Sequence, residues 1–161
     1  MIPFWDAGGR SAVTAFHGWI VAFFTELDRT HPSTVAGRVA QLLNHDYKTR
    51  WSVPALGRRF RVPPTVLSRA FKQEFGLSIH AYQELVRLAM AMGDLRGDKV
   101  EAVALQVGYH SKKDFYRAFK QVTGITVTDF RSLTPDHARQ IRERVQFKVL
   151  RPSRLFGMLI K

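Results

Sequence analysis

The chain has 161 residues, with 25 Lys and Arg against 13 Asp and Glu, a formal charge of +12. A surplus that large costs self-repulsion unless a polyanion offsets it, so nucleic acid leads as a partner and an anionic membrane surface comes second. There are no cysteines, which removes disulfides, thiolate zinc sites and cysteine nucleophiles together and fits a reducing cytoplasm. Apolar residues make up 45% and charged residues 24%, a balance that suits one ordinary domain, or two small ones sharing a core, and not a disordered chain.

Residues 1–33 read as a separate N-terminal extension. Gly8, Gly9 and Ser11 interrupt its start, and one helix over 13–28 ends at Thr30-His31-Pro32-Ser33. Its apolar run is far short of the ~20 residues a membrane span needs, and it lacks the basic start and cleavage site of a signal peptide. Phe16, Trp19, Phe23 and Phe24 would pack on the core or make a dimer contact.

From Ser33 onward the periodicity is helical. Val35, Val39, Leu42 and Leu43 share one face of a helix to about Lys48. Ser52 caps a short helix that turns Leu56 and Phe60 inward. Pro63-Pro64 cannot continue it, and Pro64 suits the first position of the next helix, which ends at Gly76. Ser78 caps a long helix to about Arg96, with Tyr82, Leu85, Leu88, Ala89, Met92 and Leu95 on its apolar side and Gly97 closing it. Asp98 with Glu101 is a capping pattern for 99–106. Ser111 with Asp114 opens a helix to Thr123, stopped by Gly124, and Thr126 with Asp129 opens a last short one through Leu133. The fold class is all-α.

One pattern occurs twice. Arg69-Ala70-Phe71-Lys72-Gln73-Glu74-Phe75-Gly76-Leu77-Ser78 returns as Arg117-Ala118-Phe119-Lys120-Gln121-Val122-Thr123-Gly124-Ile125-Thr126, with six of ten positions identical. A short helix and a tight turn precede each copy, over Leu56 to Pro64 and Val103 to Ser111. That is the layout of a helix-turn-helix, and two copies are too few for a stacked solenoid.

Residues 34–133 resemble the DNA-binding domain of the AraC/XylS (arabinose-regulator) family. The resemblance rests on Val103-Ala104, Val107-Gly108-Tyr109, Ser111, Phe115, Arg117, Phe119-Lys120, Gly124, Thr126 and Phe130-Arg131, and on Arg87-Leu88, Ala91 and Leu95 in the linker helix. It implies two helix-turn-helix subdomains (34–77 and 97–133) joined by a long linker helix (78–96), followed by a basic tail (134–161). Four positions depart from the pattern. Gly57 stands for the usual Ala, Arg61 for the usual turn Gly, Pro63 for a Ser-type cap, and Val127 for the Pro after Thr126. An Arg at 61 must take a left-handed backbone at some cost or use another turn. The second unit is the better specified.

In the first recognition helix, Thr65, Ser68 and Arg69 lie at i, i+3 and i+4 on one exposed face, leaving Val66, Leu67, Ala70 and Phe71 for the core. In the second, Lys112, Lys113, Asp114 and Arg117 are exposed, and Phe115, Ala118 and Phe119 point inward. The resemblance makes these seven exposed positions base-facing. Arg69 and Arg117 are the candidates for bidentate contact with guanine, whereas Arg58, Arg59, Lys72 and Lys120 suit phosphate. Asp114 also reads as a cap partner of Ser111, and Lys112 and Lys113 as further phosphate contacts.

A linker of about 19 residues spans about 28 Å, which with the flanking helix bodies matches the ~34 Å repeat of major grooves on one DNA face. The function expected is sequence-specific double-stranded DNA binding and regulation of transcription initiation, as an activator in the bacterial cytoplasm at the nucleoid. RNA polymerase is a second candidate partner, the state a monomer or weak dimer, and no cofactor or membrane is implied. The 33 residues ahead of the repeat are too few for the family's sensory domain, which suggests a short form or a piece of a longer regulator. The tail from 134 predicts a helix to about Lys148, then an extended end that touches DNA, meets polymerase or does neither.

Rival readings are a non-specific nucleic-acid-binding module and a protein-interaction remnant of a larger regulator. An enzyme is disfavoured. DNA-alkylation repair, which some relatives carry, needs a Cys acceptor, and the six histidines are scattered without ligand or triad spacing.

Overall fold

A computed structural model describes residues 34–150, which form eight helices and no strand. The helix expected over 13–28 and the end of the tail beyond Leu150 lie outside these residues. In chain order the helices are α1 (Val35–His45), α2 (Val53–Phe60), α3 (Pro64–Phe75), α4 (Ile79–Asp94), α5 (Val100–Gln106), α6 (Lys112–Thr123), α7 (Val127–Ser132) and α8 (Pro135–Leu150).

Side-chain caps mark most of the starts. Thr34, Ser52, Ser78, Ser111 and Thr126 each accept a hydrogen bond from a backbone N–H in the first turn that follows. Thr126 and Asp129 complete a reciprocal capping box. Helix α3 starts differently. Pro63 offers no side-chain acceptor, and Pro64 occupies the first turn, where its missing N–H costs nothing. Gly76 and Gly124 end α3 and α6 in the left-handed conformation, each N–H returning to a carbonyl of the last turn.

Each unit is built around aromatic rings. In the first, Phe71 stacks on Phe75 at 4.6 Å, and both meet Tyr82 of α4 at 5.3 and 5.5 Å. In the second, Phe115 meets Tyr109 at 5.2 Å, and Phe119 meets Phe130 at 5.4 Å. Each such pair adds about 0.5–1.5 kcal/mol beyond the burial itself. Helix α4 runs between the units and touches α1, α3, α5 and α6. The basic segment after residue 133 packs chiefly on α4 as helix α8, the most extensive helix–helix contact among the described residues, and its Ala138, Val145 and Val149 are buried.

Several expectations need correction. Val66 is 54% exposed, not in the core. At about 100° per residue it lies a quarter-turn or more from the stripe of Leu67, Phe71 and Phe75. Ala70 is only half-buried. On α1 the buried stripe is Ala36, Val39, Ala40 and Leu43, with Val35 and Leu42 at its margin. The long helix ends at Asp94, short of Arg96. Gly97 and Asp98 both donate to the Asp94 carbonyl, and Gly97 has no positive φ. Asp98 does not cap α5. Lys99 holds the cap position without a side-chain bond, because the chain is still turning at 97–98.

Candidate nucleic-acid interface

The first unit turns between α2 and α3 through Arg61, the one non-glycine residue with positive φ among the described residues (φ 56, ψ 42). The left-handed alternative expected for this position is therefore the one adopted. Gly57 makes the turn compact: a Cβ there would lie 2.7 Å from the Val62 carbonyl oxygen and 3.3 Å from the Pro64 ring. The family's usual Ala has no room. The turn aims the start of α3 outward, where Thr65, Ser68, Arg69 and Lys72, with Val53 and Pro64, line one shallow open groove. The three base-facing candidates and one phosphate candidate of the first unit thus share a surface. Arg58 and Arg59 are exposed on α2 outside that groove, and Arg59 lies over the Trp51 ring at 5.6 Å.

The second unit exposes Lys112, Lys113, Arg117 and Lys120 on α6. Two of these cations are already engaged. Lys112 is hydrogen-bonded to Glu101, joining α5 to α6, and sits over the Tyr116 ring at 5.6 Å. That bond holds the Glu101 carboxyl below its ordinary range and Lys112 above its own. Arg117 donates from Nη2 to Asp114 Oδ1 at 2.6 Å, and the other Asp114 oxygen accepts from the Ser111 hydroxyl at 2.8 Å. Asp114 is therefore both a partner of the helix cap and a brace for the Arg117 fork. No hydrogen bond or ion pair to a described residue constrains Arg69 or Lys113.

Positions 48 apart correspond in the two recognition helices, as Arg69 with Arg117 and Lys72 with Lys120 do. The same offset pairs Ser68 with Tyr116, which sequence reasoning passed over although it singled out Ser68. Tyr116 is half-buried, meets the Phe115 ring edge-on at 6.4 Å and lies under Lys112. Carrying the repeat register through every position would have found it. The offset also pairs Asp114, half-buried and not exposed as expected, with the exposed Val66, a residue of opposite chemistry.

A second missed residue is Arg87, placed by sequence in the linker pattern and buried to 2% exposure in the structure. Its Nε donates to the Tyr47 carbonyl at 2.7 Å and its Nη2 to the Thr49 carbonyl at 2.9 Å. Burial, then the neighbouring Arg50, pulls its pKa down. Among the described residues no group of three or more His, Asp or Glu could hold a metal ion, and no helix is long and apolar enough to cross a membrane.

A family described as Helix-turn-helix domain matches residues 56–132. An uncharacterized HTH-type transcriptional regulator of Bacillus subtilis is 27% identical over 99 residues, covering 60% of this chain and 13% of that protein. The arabinose operon regulatory protein of Salmonella typhimurium is 25% identical over 107 residues, covering 63% of this chain and 38% of that one. The chain thus spans well under half the length of both relatives. Among solved structures, the C-terminal domain of AraT, a response regulator from Geobacillus stearothermophilus, superposes with a TM-score of 0.59 at 25% identity, over 62% of this chain and 84% of the other.

Proposed function

We propose, for a chain whose residues 56–132 are a helix-turn-helix domain of the AraC type, that α3 and α6 read successive major grooves of one duplex and so regulate transcription initiation. The observation that carries this reading is the duplicated arginine. Arg69 and Arg117 stand at equivalent positions of two recognition helices, both exposed, each one turn ahead of an exposed lysine. Their paired positions in the repeat count against solvated surface charges without a role.

The roles divide by chemistry. Arg69 and Arg117 offer a planar fork to guanine O6 and N7, worth about 1–3 kcal/mol of discrimination each. Thr65 and Ser68 add hydroxyls to the first surface, Lys113 and Asp114 polar edges to the second, and Lys112 belongs to the second surface when it leaves Glu101. Lys72, Lys120, Arg58 and Arg59 hold phosphate, which supplies affinity and salt dependence without sequence choice. Because the two surfaces differ in sequence, one chain covers an asymmetric site, as a monomer or weak dimer in the cytoplasm. RNA polymerase is the partner through which activation would act.

Selection of bound duplexes from a random library tests this directly. Arg117→Ala should relax preference at one base pair by about 1–3 kcal/mol, while Lys120→Ala weakens all sequences alike and lowers the salt slope by about 1. Indistinguishable profiles for the two variants would overturn the division of roles. A specificity ratio well below ~10³ would favour a charge-driven coating module instead.

A further inference from the structure

We infer that the loop between α1 and α2 is the seam that sets the angle between the two reading units, with Arg87 and Gln83 of the linker helix as its positioning residues. The loop, residues 46–52, belongs to the first unit. Gln83 clasps it with both ends of its side-chain amide: Oε1 accepts from the Trp51 N–H at 3.0 Å and Nε2 donates to the Trp51 carbonyl at 2.9 Å. One turn along α4, Arg87 clasps the carbonyls of Tyr47 and Thr49. Four hydrogen bonds from two buried side chains thus fix this loop to the linker.

The second unit meets the same loop at Lys48. Gly108, the turn glycine of that unit, approaches Lys48 so closely that a Cβ would lie 2.3 Å from the Lys48 carbonyl oxygen. Its neighbour Tyr109 is buried and donates its hydroxyl to Glu84 at 2.6 Å, on the turn of α4 between Gln83 and Arg87. The loop therefore touches both the linker helix and the second turn, so the two units meet directly as well as through a shared rod.

The cost of this arrangement supports a positioning role. Arg87 is a buried cation whose direct partners in the loop are neutral carbonyls. Buried charged groups can often be replaced by hydrophobic packing at little cost in stability, and on this inference the hydrogen-bonded charge of Arg87 serves the one geometry it selects. The consequence for DNA rests on the two-groove reading above. The consequence for the free protein does not.

The test exploits the absence of cysteine. Gln73 and Gln121 are exposed and equivalent in the two recognition helices, so the double Cys variant carries one nitroxide on each. Pulsed electron-spin distance measurements should give one narrow distribution in the parent and a distribution at least about twice as wide with Arg87→Met, helicity unchanged, since discrete local openings become populated when such contacts are lost. Should Arg87→Met not fold, Gln83→Leu, which removes only the Trp51 clasp, carries the same expectation. On DNA the loosened variant should bind a duplex with both half-sites about tenfold or more weaker, hold an isolated half-site duplex within about twofold, and tolerate one inserted base pair better than the parent, because linked binding depends on geometry that admits both contacts. An unchanged narrow distribution in a folded variant overturns the inference. A parent without sequence preference would overturn the DNA reading alone and leave the distance result standing.

Discussion

In the first unit the N–H of Val62 donates to the Gly57 carbonyl at 2.9 Å, and in the second the N–H of Tyr109 donates to the Ala104 carbonyl, also at 2.9 Å. In each case the residue just before the donor is left-handed, Arg61 at φ 56 and Gly108 at φ 88. The backbone turn is the same and the residue types are exchanged: Gly then Arg in one unit, Ala then Gly in the other. What differs is the neighbour. Pro64 and the Val62 carbonyl crowd position 57, so the first unit needs its missing Cβ on the helix; Lys48 crowds position 108, so the second needs it on the turn. A glycine follows the closest approach of another chain segment. A left-handed backbone alone can be met by Arg at about 1–2 kcal/mol.

The largest effect expected from this contrast is at Gly108. Gly108→Ala combines an unfavourable positive φ with a backbone overlap, each worth about 1–3 kcal/mol, so a loss of about 3 kcal/mol or more is expected. Urea denaturation followed by circular dichroism measures it, as a lower midpoint at unchanged slope. A loss under about 1 kcal/mol would mean that the second unit does not press on the first, and the contrast between the turns would fail.

Gly57→Ala should cost less. Alanine gains about 1 kcal/mol of helix propensity over glycine, but a Cβ 2.7 Å from a backbone carbonyl forces a shift costing about 1–3 kcal/mol. A net loss of up to about 2 kcal/mol is expected by the same measurement. Increased stability would show that Val62 and Pro64 yield easily, and that Gly57 is no steric requirement.

Most of the helices could be read from the chain because local signals agree: a Ser or Thr cap, a helical apolar stripe and a glycine stop. The stops at Gly76 and Gly124 and the caps at Ser52, Ser78, Ser111 and Thr126 need no tertiary information. The errors fall where one local pattern competes with another. Asp98 and Glu101 look like a cap, but the turn at Leu95–Asp98 delays the helix and Glu101 bonds Lys112 instead. Val66 is apolar but lies off the buried stripe. The exposed face of each recognition helix follows from spacing alone, whereas the bond between Asp114 and Arg117 and the engagement of Lys112 depend on rotamers. The seam was hidden for a deeper reason. Arg87 and Gln83 reach backbone groups some 30–40 residues away, and a polar residue on a linker helix reads as solvated until tertiary contacts bury it.

The smallest effect, and the one that sharpens the contrast most, is at Arg61. Arg61→Gly removes a left-handed penalty of about 1–2 kcal/mol and adds about 0.5–1 kcal/mol of unfolded-state entropy cost, for a net gain of roughly 0.5–1 kcal/mol. The Arg61 side chain is exposed, so no packing is lost. A rise in the urea midpoint is the expected result, and a fall would show that Arg61 contributes more through its side chain than it costs through its backbone. Combining Arg61→Gly with Gly57→Ala gives the first unit the residue pattern of the second. Stability should remain below that of Arg61→Gly alone by about the cost of the alanine, because the obstruction at 57 comes from Val62 and Pro64. Full recovery in the double variant would mean that the left-handed Arg itself holds those neighbours against Gly57, and that the two turns differ by one coupled exchange and not by what surrounds them.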